Sequence, residues 1–226
     1  MKYLKNTLAF SLLVSFLLSC GPTNKMSKQD KGVAIGAGSG AVTGGVIGHA
    51  AGNTALGAVI GGVVGGVAGG LIGHKMDKQE KELAAIKEAK VEKINNGEGL
   101  KVTFDAGILF ETNSSTLSAQ SQDALSKFSQ SLQNNAETKI VISGHTDNTG
   151  TDAINEPLSG KRAESVANYL ISKGVSRDRM TTVGNGSKQP VADNSTDEGR
   201  TKNRRVEIVI VANEKMINDA KEGNLK

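Results

Sequence analysis

The sequence predicts a layered α/β domain over residues 105–213, reached through a glycine-periodic helical hairpin. Three observations carry this reading. From residue 105 onward, short β-branched runs alternate with stretches whose apolar residues recur at helical spacing, the pattern of strands and helices stacked in layers. Ahead of that, residues 32–73 contain no Asp, Glu, Lys or Arg and place Gly at every fourth position in two rows. Finally, aromatic residues make up only 3% of the chain, Trp is absent and 28 of 226 residues are Gly, so one well-packed core does not extend over the full length.

The chain begins with Lys2 and Lys5 ahead of an apolar run from Leu8 to Leu18. A charged start and a short apolar stretch mark residues 1–19 as a secretory signal, too short to span a bilayer comfortably. It ends in Leu17-Leu18-Ser19-Cys20-Gly21, which resembles a bacterial lipobox. The resemblance implies cleavage before Cys20 and lipidation at that residue. On the residues alone a second reading stays open, a buried cysteine or one left behind an ordinary signal. Cys20 is the only cysteine, so a lipidated Cys20 leaves no thiol for a disulfide or a metal site. Several acyl chains, at about 0.8 kcal/mol per buried methylene, make a stable anchor. Gly21 in place of Asp implies the outer membrane under the sorting rule of some Gram-negative bacteria. Residues 20–31 read as a linker.

In residues 32–73, Gly occupies 32, 36, 40, 44, 48 and 52, then 57, 61, 65, 69 and 73. On a helix, i and i+4 share a face, so each row is a smooth stripe that lets helix backbones approach closely. This resembles the glycine-zipper segment that precedes some wall-binding domains. The segment holds 16 Gly, each costing roughly 0.8–1 kcal/mol relative to Ala in a helix, so helices here require a bilayer or tight self-packing. The rows would be about 31 and about 26 Å long as helices, near the hydrocarbon thickness of about 30 Å. Spanning, lying on the membrane, self-association and a flexible linker all stay open. His49 lies within this segment and is assigned no ligand role.

Residues 74–104 are expected to hold a charged helix and a hairpin. Met76 to Ala89 alternates charges and reads as a short exposed helix. Val91 to Ile94, Asn95-Asn96-Gly97 and Leu100 to Phe104 read as a hairpin. Within residues 105–213, Gly107 to Phe110 reads as a strand. Ser118 caps a helix whose inner face is Leu125, Phe128 and Leu132. Lys139 to Ser143 is a strand. Ala163, Val166, Ala167 and Leu170 mark one helix face, with Pro157 breaking that helix near its start. Met180 to Val183 is a strand, and Val206 to Val211 a central one. Residues 214–226 form a polar tail.

Residues 105–213 carry 12 basic and 13 acidic groups, so the excess charge of +4 lies outside them. No basic stripe of the kind that drives phosphate-backbone binding is present, and nucleic acid is not an expected partner.

The run Gly144-His145-Thr146-Asp147, continuing through Asn155 and Leu158 to Arg162, resembles the signature of the OmpA-like peptidoglycan-binding domain. A second match runs through Asn194, Thr196, Gly199, Arg200, Asn203, Arg204, Arg205 and Val206. The resemblance implies a mixed four-stranded sheet covered by helices. It also implies a site where Asp147 and Arg162 hold the ammonium and carboxylate of a diaminopimelate-type stem peptide. A carboxylate suits the first group and a forked guanidinium the second. The same resemblance adds Asn113 as a contact, Leu158 as a pocket wall and Arg205 as electrostatic support, with Asn155 pinning the turn. Asn185 stands where the family often has an aromatic. Without the resemblance, an Asp in such a turn more often bonds its own backbone, and Arg162 reads as a solvated or salt-bridged side chain.

Ser143, His145 and Asp147 offer a nucleophilic set by composition only, because all lie on one strand end without a nucleophile elbow. The three His are far apart, and Asp147 to Asp152 lacks the length and terminal Glu of a calcium loop. Neither an enzyme nor a cofactor is expected. The sequence thus predicts an outer-membrane lipoprotein with a periplasmic domain that binds peptidoglycan non-covalently and tethers membrane to wall. Lipid is engaged through Cys20 and residues 32–73, with self-association open. The alternative is a membrane-active oligomeric lipoprotein whose glycine rows assemble a scaffold or channel, with wall binding secondary.

Overall fold

The computed structural model describes residues 64–110 and 114–225. Cys20, the first glycine row and the start of the second lie outside the described residues, as does Asn113. Helix α1 (Gly66–Ala84) leads into strands β1 (Ala89–Ile94) and β2 (Gly99–Asp105), then a short helix α2 (Ala106–Leu109). Helix α3 (Ala119–Asn134), strand β3 (Thr138–Gly144), helix α4 (Asp152–Ser172) and strand β4 (Met180–Gly184) follow. Helix α5 (Asp197–Asn203), strand β5 (Arg205–Ala212) and helix α6 (Glu214–Lys221) complete the fold.

The sheet has five strands in the order β1-β2-β5-β3-β4, one more than expected. Strands β3 and β4 are parallel and the other neighbours antiparallel, so the sheet is mixed as expected. Two of the five, β1 and β2, come from the hairpin, which the sequence placed ahead of the domain. Strand β2 pairs along its whole length with β5, and its Leu100, Val102 and Phe104 are fully buried. Excluding such residues from the core would expose a continuous apolar face.

One face of the sheet carries the main core. Val206, Ile208 and Ile210 of β5 meet Leu125, Phe128 and Leu132 of α3 and Ala163, Val166 and Leu170 of α4. The alternate set, Val141, Val209 and Val211 with Ile94 and Val183, forms a small cluster on the opposite face, which no helical residue among those described joins. Ser118 caps α3 as expected, its Oγ accepting from Ser121 N at 3.1 Å.

Three local readings are corrected. Residues Gly107–Phe110 are not a strand, because Asp105 Oδ1 accepts from Gly107 N at 2.7 Å and starts the single turn of α2. Pro157 does not break α4, which runs through it. The bond it removes belongs to Ala153 O, in the exposed first turn of the helix, where the carbonyl is open to solvent. The helix expected over Met76–Ala89 begins at Gly66 and is not merely exposed, since Ile72, Met76, Gln79 and Leu83 are buried along one stripe. Gly65 and Gly66 have φ of 63° and 61°, so the helix that holds Gly69 and Gly73 starts there and does not run on through Gly65. Among the described residues no helix is long and apolar enough to cross a membrane.

Candidate functional site

Two glycines set the depth of the site. Gly144 and Gly184 are register partners at the ends of β3 and β4. A Cβ on Gly144 would lie 2.0 Å from Ser159 O, and one on Gly184 2.7 Å from Gly160 N. Helix α4 therefore rests on bare backbone there, which brings Arg162 down beside the turn that leaves β3.

That turn is held from three directions. Asp147 is 7% exposed, and its Oδ1 accepts from Thr149 N at 2.9 Å, the self-bonded turn ordinary for Asp. Asn155 of α4 donates to Thr149 O at 3.1 Å and pins the turn as expected. Asn194 Oδ1 accepts from Asn148 N at 3.3 Å and from Asn203 Nδ2 at 2.8 Å. Asn203 is fully buried and clamps the 191–194 loop, accepting from Val191 N and Ala192 N and donating to Ala192 O. The polar positions of the second sequence match thus build a scaffold, with Thr196 capping α5 through Gly199 N and Arg200 holding Asn194 O.

The structure brings Asp147 and Arg162 into electrostatic range but records no hydrogen bond between them. Asp147 Oδ2 instead accepts from Arg204 Nη1 at 2.6 Å. Burial pushes the Asp147 carboxyl up, but Arg204 and Thr149 outweigh it and hold the group below its ordinary value, so it is ionised at neutral pH. Arg162 is 5% exposed; its Nε donates to Ser114 O at 3.0 Å, and its guanidinium carbon lies 5.3 Å from the Phe110 ring centroid. Burial and then the Arg204 charge lower its pKa, while Asp147 opposes them. Its terminal Nη1 and Nη2 have no recorded acceptor among the described residues. Leu158, one turn earlier on the same helix side, is half-buried.

Arg205, expected as electrostatic support, is bonded within the protein. Its Nε meets Glu207 Oε1 at 2.7 Å, Nη1 donates to Asn203 O and Nη2 to Gln189 O. Its fork is filled from within the protein, and its role is to fix the 185–191 loop. Arg204 is the site residue that sequence reasoning missed. The signal was the doublet itself, because successive residues entering an extended strand send their side chains to opposite sides, so Arg204 and Arg205 do not share a role.

His145 is 1% exposed, and its ring nitrogens bond neither Ser143 nor Asp147. Burial and the Arg205 charge lower its pKa to about 4 against the pull of Glu207, whose Oε2 lies 4.0 Å from Nε2. The ring is neutral at pH 7.

Comparison with known proteins places this geometry. The OmpA family matches residues 109–204, and a YMGG-like Gly-zipper family matches residues 1–77. The outer-membrane lipoprotein YfiB of Pseudomonas aeruginosa is 37% identical over 115 residues, covering 51% of this chain and 68% of that one. The chain belongs to the OmpA family. The peptidoglycan-binding protein ArfA of Mycobacterium tuberculosis is 45% identical over 103 residues, 46% of this chain and 32% of ArfA. The chain thus spans about a third of the length of the first curated relatives it matches. Among solved structures, the cell wall anchor of the T6SS from Pseudomonas aeruginosa superposes with a TM-score of 0.53 at 28% identity, covering 61% of this chain and 96% of that chain. The OmpA match holds Asp147, Arg162 and Arg204 and leaves out α1, the hairpin and β5.

Proposed function

We propose that the chain is an outer-membrane lipoprotein that binds peptidoglycan non-covalently through its periplasmic OmpA-family domain and tethers the membrane to the wall. One observation carries this reading. A carboxylate kept ionised in a buried turn lies beside two guanidiniums, one of which has terminal N–H groups without a recorded acceptor among the described residues. A carboxylate has about four acceptor sites, of which Thr149 and Arg204 use two. The rest suit an ammonium. The Arg162 fork suits a carboxylate on the same carbon. An amino-acid head of diaminopimelate type carries both groups. Leu158 and Asn113 are assigned to its flanks, and Arg204 to holding Asp147 in place. Two named relatives support the reading, a peptidoglycan-binding protein and an outer-membrane lipoprotein.

Cys20 is assigned as the lipidated residue, with residues 32–63, the part of the glycine rows ahead of the domain, as a second membrane-associated and self-associating element. The test is co-sedimentation of the purified chain with isolated sacculi, alongside mass spectrometry of the N-terminal peptide. Wild-type protein should pellet with sacculi, and its first residue should be an acylated Cys20. Failure to pellet removes the tethering function; an unmodified Cys20 removes the anchor.

A further inference from the structure

The second glycine row meets the domain at Glu98. This residue follows the Asn95–Gly97 turn of the β1–β2 hairpin and is 7% exposed. Its carboxylate reaches across to the start of α1, where Oε2 accepts from Val64 N at 2.6 Å and Oε1 from Gly65 N at 2.8 Å. Gly65 is the N-cap of α1 and Val64 precedes it, and a carboxylate suits the positive end of the helix. No side chain of α1 supplies a cap of its own.

Gly69 is the seat for this carboxylate. A Cβ there would stand 2.2 Å from Glu98 Oε1 and 3.2 Å from Glu98 Cδ. Its neighbour Gly70 has nothing within 4 Å. The two adjacent glycines therefore do different things. Gly65 and Gly66, both at positive φ, turn the chain out of the helix direction just where Glu98 grips it. Farther along, Lys93 of β1 binds Asp77 at 2.7 Å and Glu80 at 3.2 Å, while Glu82 accepts from Ser131 of α3 at 2.9 Å.

We propose that Glu98 is a latch that fixes the chain arriving at Val64 to the sheet domain, with Gly69 as its seat. On this assignment Gly69 serves the domain rather than helix–helix packing, although the repeat makes it look like every other member of its row. The backbone at Val64 and Gly65 is then held against the hairpin.

The test is hydrogen exchange on the full chain in detergent, following peptides that cover Val64 and Gly65. Glu98→Ala should speed exchange there by roughly tenfold or more, the effect of losing a hydrogen bond to a charged group. Glu98→Gln should have a smaller effect, because one carboxylate oxygen becomes a donor. Gly69→Ala should match Glu98→Ala, while Gly70→Ala should leave exchange unchanged. Peptides from β5 should keep wild-type protection in all four variants. Unchanged exchange in Glu98→Ala overturns the proposal, as does equal behaviour of Gly69→Ala and Gly70→Ala. Loss of β5 protection in Glu98→Ala also overturns it, since the contact would then belong to the global core. Wall binding is not read in this experiment, so its outcome is independent of the tethering function.

Discussion

Arg204 lies 2.6 Å from Asp147, whereas Arg162, the other guanidinium of the site, donates to Ser114 O. The anion of the site therefore has a resident cation before any ligand arrives, and Arg162 keeps its terminal donors for another acceptor.

Removing either charge proposed to meet the ligand should be felt directly. Asp147→Ala and Arg162→Ala should each weaken binding of a diaminopimelate-containing stem peptide by about tenfold or more, since hydrogen bonds to charged groups contribute about 1.5–3 kcal/mol. Arg162→Lys should recover little, because an ammonium lacks the planar fork. Calorimetry checks the affinity and circular dichroism the fold. Wild-type affinity in both folded alanine variants would make the pair structural.

The two adjacent arginines should separate in a stability measurement. Arg205→Ala strands the mostly buried Glu207 and frees the carbonyls of Asn203 and Gln189. Breaking a buried pair in this way costs on the order of 3 kcal/mol. Arg204→Ala, where the arginine is 39% exposed and makes no comparable set of backbone bonds, should cost less, while letting the Asp147 carboxyl rise toward its ordinary value. Urea denaturation distinguishes them, and similar midpoints for the two variants would contradict the division of roles.

Gly144→Ala should destabilise the domain although it adds a single methyl. The Cβ would sit 2.0 Å from a backbone carbonyl that cannot rotate away, so α4 must lift from the sheet. Overpacking of this kind costs about 1–3 kcal/mol. A lower melting temperature should come with weaker ligand binding, because Arg162 rides on the same helix.

His145 should make the fold acid-labile in a defined window. It titrates near 6.5 when unfolded and at about 4 in the folded chain. The folded state holds the neutral ring, so its contribution is fully present above about pH 6.5. It is lost as pH falls to about 4, a loss on the order of 3 kcal/mol. Asp147 acts lower, because its depressed carboxyl stabilises above about pH 3.8 and is lost only below that. His145→Gln should flatten the stability profile between pH 6.5 and 4. An unchanged slope would assign the acid sensitivity elsewhere.

Much of this architecture was legible because periodicity and burial agree. Ala163, Val166, Ala167 and Leu170 form the buried face of α4, and Val206 to Val211 fall in the middle strand. The failures have physical causes. Cutting the chain between Gly73 and His74, where charge begins, divided the Ile72-Met76-Gln79-Leu83 stripe and hid a core helix. The extra strand was missed for a related reason, since the hairpin was legible but its pairing with a strand over a hundred residues later was not. At the site, Asp147 and Arg162 were legible as charges in a recurring pattern. The hydrogen-bond partner of Asp147 was not, because Arg204 reaches it only after α5 and the start of β5 are placed.

Strand β5 is third of five in the sheet yet last of the five in the chain. Before it arrives, the β1–β2 hairpin and the β3–β4 pair have no strand in common, and Arg204, which immediately precedes it, has no position. A chain that emerges from its N-terminus first therefore carries Asp147 and Arg162 through most of its passage as parts of an unfinished sheet. The charge cluster is completed by the same strand that joins the two halves. Joining the two halves of the sheet and placing Arg204 against Asp147 thus depend on the same late segment of the chain.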